Sequence, residues 1–282
     1  MNKDEALRAI RAAGLSRVAD DLRGLMLESI RLKTRAVDEK TMSLGATKVG
    51  GHPDLPPGVA WPSWKGTPQA FVAQVNLSEV RPHDVNKALP PSGILYFFYD
   101  ALQRVFGSEP TDRGGWKVIY QGDLSKLAQQ SAPSGLPSQA QFRACAVDFS
   151  TEITLPLRPS IYADNFKWTD ADLNAYSDFM AKYPTPEDRA SIHNRLLGYP
   201  DEIQDDMHMQ VQLATHSLKN ENDPRAARLK ATALDWQLLL QVDSDENAGM
   251  RWSSTGMLYY WIQREALQSR NFDDVWVVLQ SE

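Results

Sequence analysis

The sequence predicts an α+β fold: two similar, mostly antiparallel sheet units, derived from an internal duplication and packed together, with an N-terminal helical hairpin. Three observations predict it. Aromatic and β-branched residues cluster in strand-length runs, such as 93–99 (GILYFFY) and 256–262 (GMLYYWI). Helical spacing of apolar residues is confined to residues 4–30 and to a middle stretch at 169–197. Four strand and turn words occur twice, in the same order.

Residues 4–30 read as two short helices divided at Gly14, with Ala6, Leu7, Ile10, Leu15, Val18, Leu22 and Leu25 on the apolar side. This segment, 1–28, docks as a packing hairpin on a single duplicated domain, 29–282. Residues 29–36 (SIRLKTRA) alternate and read as a strand. Residues 48–62 (KVGGHPDLPPGVAWP) hold three glycines and four prolines, which excludes a ladder. Such a loop keeps its shape by side-chain packing, and Trp61 is expected to be its largely buried anchor. Strands follow at 71–77, 93–99 and 116–120, then a polar stretch at 121–140 and a further strand at 149–157. Thr169 caps a helix over 169–182, and a second helix over 186–197 ends at Gly198. The chain finishes with strands at 236–242, 256–262 and 275–280, with a helical turn at 264–269.

The repeated words define the duplication. GHPD at 51–54 returns as GYPD at 198–201, and QVN at 74–76 as QVD at 241–243. SGILYFF at 92–98 returns as TGMLYYW at 255–261, and WKVI at 116–119 as WVVL at 276–279. The copies run over about 45–120 and 195–280. Neither buries a sheet face well alone, so the two pack together.

Composition excludes several function classes. Thirty-six acids stand against 30 bases, a net charge of −6, with no long Lys/Arg cluster. A partner read through its phosphates calls for a basic face, so neither nucleic acid nor an anionic membrane is expected. One cysteine, Cys145, rules out an intramolecular disulfide and fits a reducing, cytoplasmic setting. The start of the chain is charged and lacks an apolar signal core, and no run is long enough to span a bilayer.

No catalytic motif stands out. Residues 243–249 suggest a calcium loop, but Ala248 and Ser254 occupy the positions that an EF-hand gives to Gly and Glu. The five histidines form no HExxH, and one cysteine makes no zinc cluster. No metal and no cofactor is expected. There is no nucleophile elbow, dinucleotide fingerprint or Walker loop. Cys145 sits in an alternating run and reads as a buried small hydrophobe. Asp54 and Asp201 occupy matching repeat positions, as do Gln74 and Gln241, and Asn76 and Asp243. A turn-capping role for the aspartates and a backbone-satisfying role for the glutamines explain why both copies keep them. Acid/base work at a seam is the alternative. His52, matched by Tyr199, reads as a packing or hydrogen-bonding residue.

At these residues the chain resembles the YwqG-like family of bacterial proteins of uncharacterised function. The blocks that carry the resemblance are 48–62, 71–80 (FVAQVNLSEV), 89–100 (LPPSGILYFFYD), 195–207 (RLLGYPDEIQDDM), 235–262 and 272–280 (FDDVWVVLQ), which together span about 29–282. The resemblance implies an α+β fold and supplies no catalytic residues. It also points toward toxin–immunity settings.

The functional expectation is a non-catalytic cytoplasmic binding protein with a protein partner, an immunity protein that neutralises a basic toxin by occupying it. Asp205, Asp206, Asp245 and Glu246, on the most acidic loops, are expected to rim the partner surface. The alternative is an enzyme or small-ligand binder with a polar cleft between the two halves, using Asp54, Gln74, Asp201, Gln241 and Asp243. A purely structural subunit is the third class.

Overall fold

In the computed structural model, which describes residues 1–162 and 166–282, α1 (Lys3–Ala12) and α2 (Ala19–Leu25) open the chain. Asn2 and Glu5 form a reciprocal capping box on α1. The apolar stripe read from the sequence is buried except for the half-buried Leu25, and it packs on Ile153, Leu155, Tyr176 and Tyr183 as a small separate core.

The body is one ten-stranded antiparallel sheet. Its centre is β1 (Leu27–Ala36), joined along its length to the later strand Cys145–Thr154. In chain order, β2 (Lys48–Val49), β3 (Asp54–Leu55), β4 (Ser63–Trp64), β5 (Thr67–Pro68) and β6 (Ala70–Asn76) follow β1. Helix α3 (Leu77–Val80), β7 (Ile94–Tyr99), β8 (Trp116–Gln121), β9 (Ala128–Gln129) and β10 (Cys145–Thr154) come next. Helices α4 (Asp170–Met180) and α5 (Pro186–Arg189), then β11 (Asn194–Leu196), α6 (Met207–Thr215) and α7 (Ala226–Ala233) lead to the last part. That part is β12 (Trp236–Asp243), β13 (Gly256–Gln263), α8 (Arg264–Gln268) and β14 (Trp276–Ser281). The sheet order is β14-β13-β12-β11-β1-β10-β2-β6-β7-β8, while β3 pairs with β9 and β4 with β5 as small ribbons.

Cover on both faces explains why β7 lacks polar alternation. All six residues of β7 are buried. Leu95, Phe97 and Tyr99 face the main core, whereas Ile94, Tyr96 and Phe98 face a second core with Leu55 and Phe71. A strand covered on both faces reads as a continuous apolar run. The sheet also curls until its outer edges meet. The Trp116 indole donates to the Val275 carbonyl at 2.8 Å and the Trp276 indole to the Gly107 carbonyl at 2.9 Å. The two rings lie edge to face at 4.8 Å. Near-closure of this kind leaves little free strand edge.

Three expectations need correction. The helix expected over 186–197 exists only as α5, and Asn194–Leu196 is β11, inserted between β1 and β12. Gly198 follows that strand and caps no helix. The strand expected at 149–157 lies earlier, at Cys145–Thr154, with Cys145 fully buried. Trp61 is half-buried, not largely buried: its ring edges onto Phe98 at 5.5 Å and its N–H donates to the Gln69 carbonyl at 2.8 Å.

Candidate functional site

Two carboxylate centres sit on the sheet, and each is a row across three strands. Lys48 on β2 faces Gln74 on β6, which faces Tyr96 on β7. Arg195 on β11 faces Gln241 on β12, which faces Tyr259 on β13. In the first row, Asp54 accepts from Lys48 Nζ at 3.2 Å and Gln74 Nε2 at 2.7 Å, while its amide donates to Gln74 Oε1 at 2.8 Å. The Tyr96 hydroxyl donates to the Asp54 carbonyl at 2.6 Å. In the second, Asp201 accepts from Arg195 Nη1 at 2.7 Å and Gln241 Nε2 at 2.9 Å, and its amide donates to Gln241 Oε1 at 2.8 Å. The Tyr259 hydroxyl donates to the Asp201 carbonyl at 2.6 Å. Both β6 and β12 carry a register shift, at Phe71/Ala73 and at Leu238/Leu240.

These groups have little left to offer a substrate. Asp54 is 2% exposed and also accepts the Gly45 amide, and both Gln side chains are fully buried. Asp201 also accepts from Arg189 at 2.6 Å and faces His193 Nδ1 at 2.8 Å. Burial opposes its charge, but Arg195, His193 and Arg189 outweigh burial and hold its carboxyl well below the usual range. Asp243 accepts the His193 amide at 2.9 Å, and burial pushes its carboxyl upward. The sheet order sets β1 and β10 between the two rows, so Asp54 and Asp201 are not brought to one seam. The polar cleft expected between the halves is therefore not formed by these five residues.

A polar hollow lies against the second row. Glu152, Tyr183, Arg189, His193, Arg195 and Glu202 line it, with Asp201 at its floor. Its interior is about 40 Å³, which is room for a few waters. Burial, with Asp206 adding to it, pushes the Glu202 carboxyl up to about 7, although Arg158 lies 2.9 Å away.

A larger cleft opens beside β13. It holds about 330 Å³, within the range of small-molecule sites. Tyr162, Tyr199, His208, Trp236 and Trp261 give it aromatic walls, and Arg264 stands at its mouth. Asp206 caps α6 and accepts from His208 Nδ1 at 2.7 Å, which fixes that ring edge-on to Trp261 at 4.8 Å. Tyr162 meets both Tyr199 and His208 edge-on, at 4.9 Å and 5.4 Å. Sequence reasoning missed this site because its walls come from five separate segments. Of the polar residues it singled out, Asp206 does reach this site, but it was read for its charge and not as the partner of His208.

The expected acidic rim is divided. Asp205 and Glu246 are exposed, and Asp205 lies 3.3 Å from Arg158. Asp206 is half-buried and committed to His208. Asp245 is fully buried, accepting from Thr34 Oγ1 at 2.6 Å and from the Asn247 amide at 2.8 Å, so it offers no face to a partner. His52 lies 2.9 Å from Glu39, a hydrogen-bonding place of the kind expected. Cys145 is buried, and burial pushes its thiol up to about 11. Among the described residues, no cluster of three or more His, Cys, Asp or Glu is placed to hold a metal. No helix among them is long and apolar enough to cross a membrane.

A family model described as a domain of unknown function, DUF1963, matches residues 47–281. No curated protein matches the chain.

Proposed function

Since the chain belongs to the DUF1963 family, whose description carries no activity, we propose from the site itself that this protein works by binding a small molecule in the aromatic cleft, without catalysis. The observation that carries the reading is the contrast between its two kinds of site. The charged rows spend their polar atoms on the fold, whereas the aromatic cleft keeps open space. The finer YwqG-like assignment rests on the blocks at 48–62 and 235–262.

The reading includes an internal duplication. What supports it is the match, bond for bond, between the Asp54–Lys48–Gln74–Tyr96 row and the Asp201–Arg195–Gln241–Tyr259 row. In this reading the rows are shared fold determinants, and function lies where the halves differ. A buried, proton-holding single cysteine fits a cytoplasmic protein.

The experiment is retention and release. The protein is equilibrated with a small-molecule extract, passed through gel filtration and denatured, and the released compounds are weighed by mass spectrometry. A retained compound whose mass is unchanged after long incubation is the expected result. Time-dependent conversion of that compound overturns the binding-only reading. An immunity role against a basic toxin is the second reading, favoured by the exposure of Asp205 and Glu246. It requires that a Asp205→Asn, Glu246→Gln pair slow association with such a partner at low salt.

A further inference from the structure

The aromatic cleft has donors without matching acceptors. Trp261 is 1% exposed, and its indole N–H has no partner among the described residues. Arg264 is exposed and makes no ion pair among them. Neither side chain can accept a hydrogen bond. The corresponding place on the other half is built differently. There Gly51, Phe71 and Phe98 stand where the cleft has Gly198, Leu238 and Trp261, and Trp61 lies edge-on to Phe98 at 5.5 Å. Phenylalanine packs that place with no donor to satisfy. An indole in its stead brings a buried N–H that the protein leaves unanswered, which costs stability unless a ligand accepts it.

Resting on the cleft-binding reading above, we propose that the ligand is a planar aromatic carboxylate. Its ring lies among Tyr199, His208 and Trp261, and its anionic oxygens answer the Trp261 N–H and the Arg264 guanidinium. Aromatic walls favour a planar ring by offset and edge contacts. A guanidinium favours a carboxylate over a neutral group because the hydrogen bond is charge-assisted. The hydrogen bond between half-buried Asp206 and buried His208 fixes one wall in advance, so little ordering cost falls on binding.

Calorimetric titration with 2-naphthoate and its neutral analogue 2-naphthamide tests this, on the full chain and on Arg264→Gln and Trp261→Phe. Arg264 is exposed, so its variant should keep the wild-type thermal midpoint. The expected result is that naphthoate binds more tightly than naphthamide. Arg264→Gln should weaken naphthoate about tenfold and naphthamide less than about twofold. Trp261→Phe, which keeps the ring and removes the donor, should weaken naphthoate several-fold. If neither compound binds the wild-type protein, the aromatic-carboxylate assignment fails, while the retention experiment above separately decides the cleft reading. If both bind alike and Arg264→Gln moves neither, the cleft reading stands and the carboxylate assignment is wrong.

Discussion

Asp201 and Glu202 are adjacent carboxylates with opposite responses to the same burial. Asp201 faces Arg195, Arg189 and a hydrogen-bonding His193, so folding favours its charged form despite burial. Asp201→Asn leaves Arg195, 5% exposed, short of an anion, and should cost about 3 kcal/mol in urea denaturation at pH 7. The sign follows from the depressed carboxyl. Its stabilisation is full above the unfolded value near pH 4 and is lost progressively as pH falls from there through the folded value, so the gap between wild type and variant should narrow steadily below about pH 4. Glu202 has its carboxyl raised to about 7 by burial and Asp206. A raised acid favours the protonated folded state, so its penalty grows as pH climbs from about 4.5 to about 7. Glu202→Gln should flatten the fall in stability across that window, by up to about 3 kcal/mol. A parallel offset at every pH would show that Glu202 is not the titrating group. The sequence exposed the acids and amides of the two rows because they lie in repeated words. It hid Lys48 and Arg195, because the cation changes type between rows and sits on strands two and three residues long.

At the scale of elements, legibility follows length and burial. Strands β6, β7, β12, β13 and β14 were readable because burial on both faces demands unbroken apolar and aromatic runs. Strand β11 was not, because Asn194–Leu196 takes its conformation from β1 and β12 and has no pattern of its own. Helix α7 is mostly exposed and lacks a side-chain N-cap, so neither period nor cap announces it. Helix α6 does have its cap, Asp206, but that residue lay within a loop read only for its charge. The cleft inherits these gaps, since His208 comes from α6 and Tyr199 from the turn after β11. That turn makes a sharp prediction. Gly198 has φ +74°, and a Cβ there would come within 2.5 Å of Ser29 Cβ and Thr154 Oγ1. Gly198→Ala therefore meets both left-handed backbone strain and a clash with the central β1–β10 pair. It should destabilise by about 2–4 kcal/mol. An unchanged denaturation midpoint would mean that the turn relaxes and that the β1–β10 seam does not fix it.

At the scale of the whole molecule, the fold depends on whether its sheet closes. A ten-stranded open sheet would present two long edges, and both halves would keep an uncovered face. Closure brings aromatic residues from the two sides of the sheet together. Phe97 meets Tyr260 at 5.0 Å inside, and Trp116 meets Trp276 at 4.8 Å at the seam. Each of those tryptophans donates across the seam, one to the carbonyl of Val275 and one to that of Gly107. Gly107 is needed there, since a Cβ would come within 1.9 Å of the Val277 carbonyl oxygen. Replacing either Trp by Phe keeps most of the ring and removes one donation, for about 1 kcal/mol each. The two changes should not add. Once one bond is lost the seam loosens, and the other bond has less to lose. A double-mutant cycle of Trp116→Phe and Trp276→Phe should therefore show coupling of about 0.5–1.5 kcal/mol. Amide exchange supplies the second readout, because β8 and β14 should lose protection together in either single variant. Strict additivity, with exchange raised only in the mutated strand, would mean that the edges lie close without depending on each other. The cleft beside β13 should then survive loss of the seam. Coupled edges predict the reverse: opening the seam frees β14, loosens β13 and its Trp261, and weakens ligand binding at a cleft that neither Trp116 nor Trp276 lines.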